Sequence, residues 1–130
     1  LDIFDVSYIE FSSNVQELTM PFDKSQLIRL LTNLVKNSIQ TLQHEQTEHP
    51  KIEVVLRANE NTVDLSVSDN GPGIAAEIQS RVFEPKFTTK SKGMGLGLAM
   101  VKTIVASYKG SIVLESSATG TRFDMRFPKP

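Results

Sequence analysis

Apolar residues recur at helical spacing along Leu27, Leu30, Leu31, Leu34, Val35 and Leu42, with Ser38 on the same stripe. That period predicts a long amphipathic helix against a core, and Asp23 stands before it as an N-cap. The polar run His44-Glu45-Gln46-Thr47-Glu48-His49-Pro50 has no apolar period, so the helix should end in a polar loop before Pro50. Period-two alternation predicts strands elsewhere: Tyr8 to Phe11 and Glu17 to Met20 as a hairpin, then Lys51 to Leu56 and Val63 to Asp69 as an antiparallel pair. Ala75 to Val82 reads as a short helix and Ala99 to Tyr108 as a second periodic one with Val101, Ile104 and Val105 inward. Ser111 to Glu115 and Thr121 to Phe127 end the chain as strands turned by Ala118-Thr119-Gly120.

Composition narrows the classes. At 130 residues the chain suits a single domain spanning 1–130. Basic and acidic residues nearly balance, 14 against 15, so nothing points to nucleic acid or to direct contact with an anionic membrane. The absence of cysteine excludes disulfides, thiolate metal sites and a cysteine nucleophile. The longest apolar-rich run, Met94 to Ala106, carries Lys102 and begins among glycines, so it cannot span a bilayer. A start at Leu1, without a basic and apolar leader, suggests a piece of a longer protein.

Three places carry candidate chemistry. Asp69-Asn70-Gly71-Pro72-Gly73-Ile74 puts a carboxylate where a strand stops at a glycine turn, which allows close backbone approach to a ligand; the plain alternative is a polar turn. Asn33 and Asn37 are one helical turn apart, about 40° around the axis, and suit either one shared ligand or a solvated face with local hydrogen bonds. Gly93-Met94-Gly95-Leu96-Gly97-Leu98 runs into a helix N-terminus, whose free N–H groups suit phosphate oxygens. This is neither a dinucleotide fingerprint nor a P-loop, since the last glycine and the Lys-Ser or Lys-Thr are missing. Before it lies a polar loop with Lys86, Lys90 and Lys92 among Thr88, Thr89 and Ser91, with the composition of a mobile, anion-contacting loop; the plain alternative is a solvated surface loop.

These features, in this order, resemble the catalytic ATP-binding domain of sensor histidine kinases, within the superfamily shared by gyrase, the heat-shock 90 chaperones and the MutL proteins. Asn33 to Asn37 matches the N box, Asp69 to Ile74 the first glycine box, Phe83 to Phe87 the F box and Gly93 to Leu98 the second glycine box. Pro85 to Lys90 and the short lid resemble kinases of the nitrogen-regulation type most. The resemblance implies a two-layer α/β sandwich of the Bergerat type, a mixed and mainly antiparallel sheet with helices on one face. It implies ATP and Mg²⁺ as cofactors. Asp69 would accept a hydrogen bond from the adenine amino group with Thr121 in support, and Asn37 would be the Mg²⁺ ligand with Asn33 nearby. Gly71, Gly73, Ile74, Phe83, Phe87, Gly93, Gly95, Leu96, Gly97 and Leu98 would line the nucleotide site, and Lys90 would neutralise phosphate charge.

The same resemblance sets partners and rivals. The phosphoryl acceptor would be a histidine on a separate dimerisation and phosphotransfer domain, with a response regulator downstream, in the cytoplasm and with any membrane anchor elsewhere in the parent. Hydrolysing relatives carry a general-base Glu where this chain has Asn33, which disfavours ATP turnover by water. Gln40 stands where some members have a basic phosphate contact, and His44-Glu45 only imitates the acceptor motif. The alternatives are a serine kinase of the anti-sigma-factor kind and a nucleotide-binding regulatory module without transfer activity.

Overall fold

A computed structural model describes residues 7–15, 20–84 and 98–129. Among them β1 (Ile9–Ser13), β2 (Ile52–Ala58), β3 (Thr62–Asp69), β4 (Ser111–Ser117) and β5 (Gly120–Pro128) form one sheet in the order β1-β2-β3-β5-β4. β1 runs parallel to β2, and all other neighbours are antiparallel, as the mixed sheet expected of the sandwich requires. The helices are α1 (Lys24–His44), α2 (Ala76–Gln79) and α3 (Leu98–Ser107).

Alternation divides the sheet into a dry and a wet face. Ile52, Val54, Leu65, Val67, Phe123, Met125 and Phe127 are buried together with Leu30, Leu34, Ile39 and Leu42 of α1 and Leu98, Val101, Ile104 and Val105 of α3. The intervening positions are mostly polar, Val55 and Val113 excepted, and carry exposed ion pairs, Arg126 with Asp64 and Arg122 with Asp124 and Glu115. Both long helices therefore cover a single face.

Capping and aromatic packing set where α1 begins. The Asp23 carboxylate accepts from the Ser25 N–H at 2.9 Å and the Ser25 hydroxyl at 2.8 Å, and these bonds hold its pKa below the usual carboxylate range. The Asp23 N–H donates to the Tyr108 hydroxyl at 3.0 Å, while Phe22 stacks on the Tyr108 ring at 3.7 Å and meets Phe127 edge-on. The start of α1 is thus pinned to the end of α3.

One expectation changes, and another falls mostly outside the described residues. β1 pairs in parallel with β2, with Ile9 opposite Ile52 and packed against the core. Of the hairpin partner expected at Glu17 to Met20, residues 17–19 lie outside the described residues, and Met20 belongs to no strand. The helix expected over Ala75 to Val82 closes after four residues, since Ala75 provides no side-chain cap and the chain turns again through Arg81 N–H to Ile78 O and Glu84 N–H to Arg81 O.

Candidate nucleotide site

Asp69 ends β3, and its carboxylate is held from two sides. Oδ2 accepts from the Ser38 hydroxyl at 2.8 Å, and Oδ1 accepts from the Gly71 N–H at 2.9 Å. Ser38 is itself 4% exposed, so the helix delivers a hydroxyl into a nearly dry contact. Burial pushes the Asp69 carboxyl above its usual range, and the Gly71 and Ser38 bonds pull the other way. A half-desolvated carboxylate whose oxygens are fixed but not saturated is built to accept one more donor.

The pocket beside it holds about 150 Å³. Asn37, Ser38, Thr41, His44 and Glu45 of the α1 end form one wall, Pro72, Gly73, Ile74, Ala75 and Ile78 another, and Asp69, Thr121 and Phe123 of the sheet the floor. Close approach shapes the glycine turn: Gly73 has φ +83°, and a Cβ there would lie 1.9 Å from the Ser117 carbonyl oxygen. The Ile74 N–H then donates to the Ser116 hydroxyl at 2.8 Å, tying the turn to β4. Gly120 closes on Asp69 in the same way, since a Cβ would lie 2.4 Å from the Asp69 carbonyl oxygen.

The expected residues divide into three groups. Asn37, Asp69, Gly73, Ile74 and Thr121 meet around the pocket, with Gly71 bonded to Asp69 behind it. Three others are placed elsewhere. Asn33 donates its side-chain amide to the Arg29 carbonyl at 2.7 Å, a local helix bond, and does not line this pocket. Phe83 packs edge-on against Phe123, with the Lys102 ammonium over its ring, and Leu98 is buried at the start of α3. The remaining group, Phe87, Lys90, Gly93, Gly95, Leu96 and Gly97, lies outside the described residues, as does the expected lid.

Ser38, Ser116 and His44 are the residues that the sequence reading underused. Ser38 left a signal, a small polar residue on an otherwise apolar stripe directly after Asn37. His44 is not a loop residue: α1 continues through it, so it stands on the pocket wall. Ser116 gave no local signal, because its partners Ile74 and Thr121 come from other segments.

Known proteins match this architecture. Residues 22–130 match the sequence profile of the histidine kinase-, DNA gyrase B- and HSP90-like ATPases. The chain is 37% identical over 107 residues, 82% of its length, to the C4-dicarboxylate transport sensor protein DctB of Rhizobium meliloti, and spans 17% of that protein. It is 36% identical over 121 residues, 92% of its length, to the sensor histidine kinase ZraS of Escherichia coli, and spans 25% of it. The catalytic domain of histidine kinase ThkA superposes with a TM-score of 0.81 at 31% identity, over 93% of this chain and 78% of that one. ThkA has also been solved in complex with the response regulator protein TrrA, with a TM-score of 0.77 at 28% identity over 94% of this chain and 34% of that one. The chain belongs to the family of histidine kinase-, DNA gyrase B- and HSP90-like ATPases, as an ATP-binding catalytic domain of the sensor histidine kinase kind.

Proposed function

We propose that this domain holds ATP with its adenine amino group on Asp69 and supplies the γ-phosphoryl group to a histidine on a separate domain of its parent kinase, from which a response regulator is then charged. The observation that carries the reading is the carboxylate of Asp69, half-desolvated and held by Ser38 and Gly71 on the floor of a pocket that Asn37 and Thr121 also line. Phosphoryl transfer asks the protein mainly for positioning and charge stabilisation, which a rigid floor and a helix wall provide. Among the described residues no group of three or more His, Cys, Asp or Glu forms a metal cage. Mg²⁺ suits such a site when phosphate oxygens and waters supply most of its shell, with the neutral Asn37 amide oxygen as the protein ligand. When bound, the ion neutralises phosphate charge.

Transfer to a histidine is favoured over hydrolysis by one position. Asn33, which stands where hydrolysing relatives place a general base, has no proton-accepting equilibrium near neutral pH, and its amide is engaged by Arg29. No helix among the described residues is long and apolar enough to cross a membrane. We propose that the domain works in the cytoplasm, where ATP is supplied. Incubation with radiolabelled ATP and Mg²⁺, alone and with the separately produced histidine-bearing domain of the parent kinase, tests the reading. Acid-labile label should appear on the added domain only. Steady phosphate release by this domain alone, abolished by Asn33→Ala, would replace the kinase reading with an ATPase.

A further inference from the structure

We infer that Ser116 is a positioning residue that sets the direction of the Thr121 hydroxyl, and through it makes the pocket select a nucleobase edge with an amino donor beside a ring-nitrogen acceptor. The inference rests on the reading that the pocket holds adenine. Ser116 and Thr121 face each other across the β4–β5 ladder, and Thr121 faces Asp69 across the β3–β5 ladder. Ser116 therefore sits one strand behind the pocket floor.

Its hydroxyl has one proton and two lone pairs. One lone pair takes the Ile74 N–H at 2.8 Å. The proton has two candidate acceptors, the Thr121 hydroxyl oxygen at 3.0 Å and the Gly120 carbonyl oxygen at 3.3 Å. Hydroxyl-to-oxygen bonds lie at about 2.5–3.0 Å, which favours Thr121. With its oxygen occupied as an acceptor, Thr121 keeps its own proton for the pocket it lines. The floor then presents an acceptor, ionised Asp69, beside a donor, Thr121. Adenine matches that pair, with its 6-amino donor next to the N1 acceptor. Guanine inverts both groups, leaving each facing a like group, and so is rejected. The reverse arrangement, with Thr121 donating to Ser116, would leave two acceptors side by side and no use for N1.

Binding of ATP, GTP and 1-deaza-ATP, in which N1 becomes a C–H, tests this by titration calorimetry. In the unsubstituted domain, loss of N1 should weaken binding about fivefold or more. Ser116→Ala should shrink that N1 penalty to under about twofold, while Ser116→Thr, which keeps the hydroxyl, should retain it. Ser116→Cys keeps the volume with only a weak donor, and should give the same small penalty if the alanine variant does not fold. An N1 penalty absent from the unsubstituted domain, or unchanged in the alanine and cysteine variants, overturns the role of Ser116 and leaves ATP binding standing. A domain that binds neither ATP nor GTP overturns the nucleotide reading, and this inference with it.

Discussion

At the scale of single residues, the Asp69 carboxylate is held in a state that favours a ligand. Because burial is the largest influence on it, its pKa in the free domain lies above that of the unfolded chain. The linkage follows: this group stabilises the free fold most below its unfolded pKa, and that contribution is lost as pH rises through the raised folded value. A donor from adenine favours the ionised form, so nucleotide binding should release a proton near the folded pKa and weaken as pH falls through it. Titration of ATP across the acidic range, with proton release read from buffers of different ionisation enthalpy, checks the sign; binding that tightens on acidification would contradict it. Ser38→Ala removes a hydrogen bond from the ionised form. It should weaken ATP by about 1 kcal/mol, roughly fivefold, and move the midpoint of that pH dependence upward. An unshifted midpoint would mean that Ser38 contributes packing alone.

At the scale of elements, α1 is both core and site, and its stripe serves the first role while its C-terminal half serves the second. Leu34 is fully buried against the sheet, so Leu34→Ala should cost about 2–5 kcal/mol in denaturant unfolding. A loss below 1 kcal/mol would mean that the helix is held mainly by its ends. The turn after β3 is held by backbone approach instead. Gly73→Ala puts a side chain at positive φ onto the Ser117 carbonyl, and should lower both the melting temperature and ATP affinity, whereas Pro72→Ala should change them far less. Equal effects would locate the constraint in the rigidity of Pro72. The sequence made α1, the β2–β3 pair and the β4–β5 hairpin readable, because their periodicity is local and their partners are adjacent. It did not make the parallel pairing of β1 with β2 readable, because Ile52, the partner of Ile9, lies more than forty residues away.

At the scale of the whole molecule, the glycine turn, the end of α1 and the β4–β5 hairpin converge on Asp69, and the same convergence explains how much of the site could be foreseen. Asp69, Gly73, Ile74 and Thr121 belong to motifs whose spacing survives in one dimension, and Asn37 lies on a helix face that geometry predicts. Ser116 and His44 could not be foreseen in that way: one sits behind the pocket floor and reaches it through Ile74 and Thr121, the other stands on the wall because α1 runs two residues past Leu42, the last of its apolar stripe. A pocket built in this way should fail as a unit when its carboxylate is removed. The most direct measurement is calorimetric titration of Mg²⁺-ATP into the unsubstituted domain and into Asp69→Asn, with circular dichroism to show that both are folded. Asp69→Asn removes the charge and replaces one of the two acceptor oxygens by an NH2 donor, and should weaken binding by about 1–3 kcal/mol or more, roughly fivefold to more than a hundredfold. Affinity equal within twofold between two folded proteins would contradict the placement of adenine on Asp69.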